Sequence, residues 1–185
     1  MRSFGLSLAL LFAMQAPPAK QPVLLLQRNY FSTGTFYTDC VQVQEDGSYR
    51  FEHRYAALYE HESHQIHAGK LTDDELRQLR AVLDQPGLQA LRTPGLQSAG
   101  MTVGSDIDTY WVAIARSSTP QVLFFNSTTS SGKKYASQQL PSAYSTPAMK
   151  PLLNWYKQMG KRKGDIDKTA QPSCKFQVLE HQSGH

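Results

Sequence analysis

The sequence predicts an α+β fold: an antiparallel sheet of about five to six strands with two helices packed on one face. Two observations lead to this prediction. Short stretches rich in strand-forming residues are separated by turn residues, and two longer segments repeat apolar side chains at helical spacing. Because the strands follow one another instead of alternating with helices, we expect antiparallel pairing.

The first predicted strand lies within residues 22–30, PVLLLQRNY. Residues 35–44 then alternate between two faces, with a slip near Asp39 that indicates a bulge. Asp46-Gly47 can supply the positive φ of a tight hairpin turn. The returning strand, residues 48–55, places the following side chains on one face: Tyr49, Phe51, His53 and Tyr55.

A further strand, residues 61–69, leads into the strongest helix signal of the chain. Thr72 can cap the first turn, and Glu75 occupies the reciprocal position of a capping box. Apolar side chains then recur at helical spacing until Pro86-Gly87 ends the helix.

The second half of the domain repeats a hairpin followed by a helix. Residues 108–116 and 121–126 are predicted strands joined by a short turn. The segment PAMKPLLNWYKQMG is the second predicted helix, which Pro147 can start and Gly160 can end.

The first residues predict an exported protein. Residues 1–19 place Arg2 before an apolar run and end in small residues and prolines, the layout of a secretory signal peptide. The run from Phe4 to Met14 is shorter than the roughly 20 residues of a membrane-spanning helix, so we expect no transmembrane segment in the mature chain. An uncleaved membrane anchor is the alternative. The expected product is periplasmic or extracellular, with one domain at residues 22–160 and a polar C-terminal tail at residues 161–185.

The charge excess is small. The formal net charge of +4 comes partly from the tail segment 161–168, KRKGDIDK. Such an excess gives only weak attraction to anionic surfaces. We therefore expect no nucleic-acid partner.

A disulfide bond between Cys40 and Cys174 is predicted, because these are the two cysteines of a chain expected in an oxidising compartment. The closed loop would span most of the mature chain. In the chain-entropy model it would stabilise the fold by about 4 to 5 kcal/mol. Two unpaired thiols are the alternative.

The histidine-rich segment HESHQIH, residues 61–67, allows a metal site, a pH response or the solvated face of a strand. On a strand, His61 and His67 share one face and His64 points to the other, so the imidazoles do not converge on one ion. We predict no metal site, and these histidines are the candidate ligands if one exists.

The sequence has none of the common enzyme motifs: no Gly-x-Ser-x-Gly, phosphate loop, His-Glu-x-x-His or dinucleotide fingerprint. Asp106 and Asp108, next to Ser105, could bind a cation or perform acid–base chemistry. A turn whose Asp and Ser side chains bond their own backbone explains them more simply. We therefore predict no catalytic residue, no cofactor and no enzymatic activity.

Two long polar segments, residues 92–106 and 127–146, are predicted to be loops that bind the partner. Tyr135 and Tyr144 in the second segment could be recognition aromatics or packing anchors. Asn126 begins an Asn-Ser-Thr glycan acceptor pattern, and the sequence leaves open whether it is modified.

Three stretches, VLLLQRN, DCVQVQEDGSY and GKLTDDELRQLRAVL, resemble small exported bacterial domains of unknown function. The resemblance runs over roughly residues 23–160 and implies a hairpin with an Asp-Gly turn, a strand, a helix and a second β-β-α unit.

The arrangement of elements is also similar to that of emfourin, a proteinaceous inhibitor of thermolysin-like metalloproteases. Emfourin-like chains carry a Gly-Gly-Phe stretch after the first strand, where this sequence has NYFSTG. No residue's role is therefore transferred from this resemblance.

The predicted function is that of an exported noncatalytic binding domain, whose partner is a protein or an envelope ligand. Inhibition of an extracellular metalloprotease is one alternative. A metal-binding protein or hydrolase is the other.

Overall fold

The computed structural model describes residues 22–32, 34–57, 61–92, 105–130, 143–162 and 165–166. They form an antiparallel sheet with helices on one of its faces, so the predicted α+β fold is confirmed. The strands are β1 (Leu24–Ser32), β2 (Thr35–Val43), β3 (Ser48–Ala57), β4 (Ser63–Lys70), β5 (Ser105–Ile114), β6 (Gln121–Ser130) and the two-residue β7 (Asp165–Ile166). The helices are α1 (Asp73–Leu83), α2 (Pro86–Ala90) and α3 (Lys150–Met159), and a 3-10 turn (Pro147–Met149) precedes α3.

Strand β1 is an interior strand, the third in the sheet order β6-β5-β1-β2-β3-β4-β7. Strands β1 to β4 form a meander in chain order, and β5 and β6 form a separate hairpin. Within the described residues, the strand pairing that joins the two units is that of β1 with β5, from Leu24 opposite Ile114 to Phe31 opposite Ile107. This pairing brings together residues that lie far apart in the sequence.

The β1–β2 and β2–β3 turns of the meander each contain a glycine with a positive φ. Gly34 and Gly47 have φ values of 83° and 82°, a conformation that costs a side-chain-bearing residue energy. Gly47 provides the predicted turn between β2 and β3, and its carbonyl accepts a hydrogen bond from the Leu71 amide. The bulge predicted near Asp39 is wrong, because β1 and β2 pair residue by residue along their whole length.

Helix α1 begins as predicted. The Thr72 side chain accepts from the Glu75 amide, and the Glu75 carboxylate accepts from the Thr72 amide. Leu79 and Leu83 of this helix are buried against the sheet. Pro86 does not simply end the helix but starts the short α2, since its fixed φ and missing N–H suit a first helical position.

We call the sheet face under the helices the covered face, and the other the opposite face. The core lies between the covered face and α1 to α3, where helix side chains such as Leu152 and Met149 are fully buried. Its strand members are Leu24, Leu26, Val41, Val43, Tyr49, Phe51, Tyr110, Val112, Ile114, Leu123 and Phe125. Among the described residues, no helix contributes to a core on the opposite face.

Part of the predicted C-terminal tail belongs to the sheet. Asp165–Ile166 pair with Ala68 and His67 of β4. Just before them, the Arg162 guanidinium forms an ion pair with Glu75 and lies 5.6 Å from the centre of the Tyr49 ring. In the described part of the chain, no helix has both the length and the apolar character needed to cross a membrane.

Candidate functional site

The covered face changes from apolar to polar along its strands. On β1, Leu24 and Leu26 are fully buried, and the next side chains on the same face are Arg28 and Tyr30. Neighbouring strands change at the same level, so polar and aromatic groups gather at one end of this face. We call this group the polar cluster; it consists of Arg28, Tyr30, Tyr37, Asp39, His53, Tyr55, Asp106, Asp108, Tyr110, Tyr144 and Tyr156.

An ion pair between Arg28 and Asp108 lies at the centre of the cluster. Nε and Nη2 of Arg28 donate to the two carboxylate oxygens at 2.8 and 2.9 Å, a bidentate geometry that fixes both groups. Only 20% of the Arg28 side chain and 14% of the Asp108 side chain are exposed. Burial lowers the pKa of Arg28, but the hydrogen bonds to Asp108 and its negative charge raise it by more. The pKa of Arg28 therefore lies above its ordinary value.

Tyrosine rings surround the Arg28 guanidinium. Its central carbon lies 5.6 Å from the ring centre of Tyr30, 5.3 Å from that of Tyr37 and 5.6 Å from that of Tyr110. These distances suit cation–π attraction, worth about 0.5 to 2 kcal/mol each depending on exposure. Tyr30 and Tyr37 also stack on each other with ring centres 4.7 Å apart. The guanidinium is therefore held by both a carboxylate and aromatic faces.

Asp39 anchors the second half of the cluster. One carboxylate oxygen bonds Nδ1 of His53, and the other accepts from the Tyr156 hydroxyl at 3.0 Å. The bond to Asp39 raises the pKa of His53, although partial burial opposes this. Burial raises the pKa of Tyr156 well above its ordinary value, and the negative charge of Asp39 adds to the effect. Helix α3 thus borders the cluster through Tyr156.

Tyr144, which lies just before the 3-10 turn, borders the cluster beside Tyr110. Its hydroxyl lies 2.5 Å from that of Tyr110, and Nζ of Lys157 lies 5.2 Å from its ring centre. Burial and the bond to Tyr144 raise the pKa of Tyr110, so this phenol stays protonated at ordinary pH. Because 40% of Tyr144 is exposed, it serves both as a packing anchor and as part of the outer surface.

The predicted turn at Asp106 and Asp108 is wrong. Both residues lie within β5 on the covered face, and Asp106 accepts a hydrogen bond from the Ser32 hydroxyl. Asp108 pairs with Tyr30 across the β1–β5 ladder. The structure therefore places both carboxylates in the polar cluster, whereas the sequence predicted that they would lie in a local turn.

Several polar atoms of the cluster keep hydrogen-bonding capacity. Within the described residues, no hydrogen bond reaches Nη1 of Arg28 or Nε2 of His53. The hydroxyls of Tyr30 and Tyr37 likewise have no hydrogen-bond partner in that part of the chain. With 38% of the His53 side chain exposed, a ligand can reach this end of the face.

The histidine segment does not gather its imidazoles. His61 precedes β4, His64 lies on the opposite face with Nε2 3.6 Å from Glu52, and His67 lies on the covered face opposite Phe51. Among the described residues, no group of at least three metal-binding side chains is assembled. The histidine that enters the candidate site is His53, outside this segment.

The other predicted sites lie apart from the cluster. Cys40 is on the opposite face of β2 and only 1% exposed, whereas Cys174 lies outside the described residues, so the disulfide stays a prediction. Asn126 sits within β6, where its buried Oδ1 has no hydrogen-bond partner among the described residues. Tyr135 lies outside the described residues.

The two predicted binding loops are shorter than expected. Ser105 and Asp106 belong to β5, and residues 127–130 belong to β6, while 93–104 and 131–142 lie outside the described residues. Ser105 and Ser130 face each other at the polar end of the sheet. The first predicted loop therefore enters β5 at the end that carries the cluster, and the second leaves β6 there.

A cavity of about 810 Å³ lies at the other end of the sheet, between α2 and the β5–β6 turn. Arg116 lines it, but its guanidinium is already bonded to the Gln121 side chain and the Leu83 carbonyl. Gln121 in turn donates to carbonyls that include Leu88 at 2.8 Å. These side chains tie the hairpin to α2, so we place the functional site at the polar cluster.

Comparison with family models, curated proteins and solved structures gives no match. The resemblances drawn from the sequence therefore stay predictions.

Sequence reasoning missed Arg28, Asp39 and His53 as site residues. The apparent slip near Asp39 was the available signal: a carboxylate on the face that carries Val41 and Val43 was explained as a bulge. A polar residue at a core position indicates a functional group in a regular strand at least as well as it indicates a bulge.

Proposed function

We propose that the protein is an exported, noncatalytic binding domain that holds its ligand at the polar end of the covered face. The observation that carries this proposal is the polar cluster itself, in which Arg28 and Asp39 are fixed by bonds while Nη1 of Arg28, Nε2 of His53 and the hydroxyls of Tyr30 and Tyr37 have no hydrogen-bond partner within the described part of the chain. Side chains positioned in advance lose little freedom on binding, which favours affinity.

The cluster is poor as a purely stabilising device. Partly buried ion pairs lose hydration when they form, and apolar side chains of similar size often stabilise a fold as well or better. Extending the pattern of Leu24 and Leu26 along β1 would have been the simpler way to build a core. The polar end is better explained by a function than by stability.

A hydrolase is the second candidate, and one observation favours it. Asp39 holds Nδ1 of His53 and leaves Nε2 accessible, the arrangement of a histidine that acts as a general base. Within the described residues, however, no serine, threonine or cysteine bonds to that nitrogen, and catalysis by such a base needs an acceptor or an activated water. Binding therefore remains the better proposal.

The experiment that tests the binding proposal is affinity capture from the envelope fraction of the native host. The double variant Tyr30→Ala/Tyr37→Ala should lose the captured component, whereas Phe31→Ala should retain it. Phe31 is the matched control, because it is 42% exposed, follows Tyr30 directly and lies on the opposite face. Equal capture by all three proteins would refute a site at the polar cluster.

Export is part of the same proposal, with residues 1–19 as the signal peptide. The mature chain should appear in the periplasm or medium with a new amino terminus near residue 20. Full-length chain recovered from the cytosol with its leader intact would contradict export.

The proposed bridge between Cys40 and Cys174 is supported by burial on the opposite face. Cys40, Glu52 and Ile66 are 1%, 5% and 3% exposed in adjacent strands, on a face where no described helix packs. A tail attached through Cys174 would cover these side chains. Thiol titration of denatured, unreduced protein should find no free thiol, and two titratable thiols would refute the bridge.

Metalloprotease inhibition stays an alternative that the described geometry does not specifically favour. An assay against thermolysin with the mature chain at micromolar concentration decides it. Absence of inhibition would remove this alternative without affecting the proposed site.

A further inference from the structure

The charges of the polar cluster are largely neutralised within it. Arg28 is paired with Asp108, and His53 is paired with Asp39. The remaining carboxylate, Asp106, is bonded to a hydroxyl and not to a cation. Even with Lys157 beside the Tyr144 ring, an anionic ligand would find no excess of cations, and the cluster disfavours phosphate or nucleic acid, which need a positively charged groove.

A cationic ligand is disfavoured for a different reason. Aromatic faces with neighbouring carboxylates usually recognise ammonium or guanidinium groups. Here Tyr30, Tyr37 and Tyr110 already surround the cluster's own guanidinium, that of Arg28. A ligand cation at these rings would be repelled by the charge of Arg28, whereas a neutral group would not.

Aromatic rings form a row across adjacent strands. Tyr30 on β1, Tyr37 on β2 and Tyr55 on β3 are register neighbours on the covered face, and the first two stack with an angle of 27° between their planes. Because strands lie roughly 4.8 Å apart, the row extends over about 10 Å. All three are partly exposed.

Both donors and acceptors border this row. Nη1 of Arg28 can donate, the tyrosine hydroxyls can donate or accept, and Nε2 of His53 accepts when the ring is neutral. A ligand with many hydroxyl groups can satisfy such a mixed set, because each hydroxyl is itself a donor and an acceptor.

We propose that the polar cluster binds a neutral oligosaccharide. The apolar faces of its sugar rings pack against the exposed parts of the stacked Tyr30 and Tyr37 rings, and its hydroxyl groups bond Nη1 of Arg28 and Nε2 of His53. This inference rests on the proposed binding function and names the ligand class for that same site.

Calorimetric titration of the mature protein with neutral hexasaccharides tests the inference, using cellohexaose, maltohexaose and the hexamer of N-acetylglucosamine. At least one should bind with a Kd of about 1 mM or tighter. Tyr30→Ala and Tyr37→Ala should each weaken that binding about tenfold or more, as expected for loss of a stacking ring. Phe31→Ala should leave the affinity unchanged.

Two controls keep the outcome interpretable. Tyr37→Phe keeps the ring and should keep most of the affinity even if Tyr37→Ala unfolds. Oligogalacturonate, an anionic sugar chain, should bind no better than the neutral ones, and stronger, salt-sensitive binding of it would overturn the neutral class.

The outcomes separate the two proposals. If no hexasaccharide binds while envelope capture still depends on Tyr30 and Tyr37, the sugar inference is wrong and the binding site stands. If sugar binding and envelope capture both survive loss of these rings, the site itself is wrong.

Discussion

The two ends of the covered face differ in chemistry although the same strands build both. Towards one end, Leu24 and Leu26 of β1 are fully buried beneath the helices. Towards the other, Arg28 keeps 20% of its side chain exposed, and His53 keeps 38%. Strand alternation thus identifies which side chains share a face, but it does not tell whether that stretch of the face is core or surface.

The largest effect is expected from shortening a side chain at the apolar end. Leu26→Ala should reduce the free energy of unfolding by about 3 kcal/mol, because it leaves a cavity between β1, its neighbouring strands and the helices. Urea denaturation measures this change. A loss below about 1 kcal/mol would mean that the apolar end is not the main core.

A smaller effect is expected from breaking the ion pair at the polar end. Arg28→Met leaves the Asp108 carboxylate partly buried without its cation and should lower stability by about 2 kcal/mol. The double variant Arg28→Met/Asp108→Leu should recover part of this loss, since neither charge then remains unpaired. Strictly additive losses in the same denaturation assay would contradict the coupling.

The pair of His53 and Asp39 should make the polar end sensitive to pH. The pKa of His53 is raised in the folded state, so its contribution to stability is complete below the unfolded pKa of about 6.5 and is lost as pH rises through the folded pKa. The stability difference between wild type and His53→Gln should therefore be larger near pH 5 than near pH 9. Because 38% of the His53 side chain is exposed, we expect this difference in the free energy of unfolding to be less than about 1 kcal/mol.

A stability difference between wild type and His53→Gln that grew with rising pH would have the opposite sign and would contradict the pairing of His53 with Asp39. Thermal unfolding of both proteins across this range measures it.

Two tyrosine hydroxyls of the polar end, those of Tyr156 and Tyr37, should differ in their contribution to stability, and the second contributes the least of all. Tyr156→Phe removes the donor to Asp39 and should cost about 1 kcal/mol, whereas Tyr37→Phe should change stability by less than about 0.5 kcal/mol. Within the described residues, the Tyr37 hydroxyl has no hydrogen-bond partner to lose. Equal losses in parallel melting curves would show that Tyr37 is structural and not available to a ligand.

Local features of the fold were predictable because local rules govern them. The capping box at Thr72 and Glu75 and the turn at Gly47 depend on a few adjacent residues, and the structure has both. The hairpins were predictable because stretches whose side chains alternate between two faces are separated by turn residues. The two-residue β7 was not predicted, because so short a strand has no period of its own.

The candidate site was not predictable in the same way. Arg28 meets Asp108 only because β1 pairs with β5, and the two residues are separated by 80 positions in the chain. No local pattern encodes that register. Asp39 was visible as an anomaly, but its partners Tyr156 and His53 were not, since Tyr156 comes from a helix 117 positions further on.

The interior position of β1, between β2 and β5, also has a consequence for how the chain is produced. When the polypeptide emerges amino end first, the meander can form early, but one edge of β1 then has no neighbour until β5 is made. At about 5 to 20 residues per second, the roughly 80 intervening residues take about 4 to 16 seconds. During that interval an unpaired strand edge is exposed, and such edges pair readily with other chains. Self-association and chaperone contact should therefore concentrate in nascent and newly translocated molecules, more than in the finished protein.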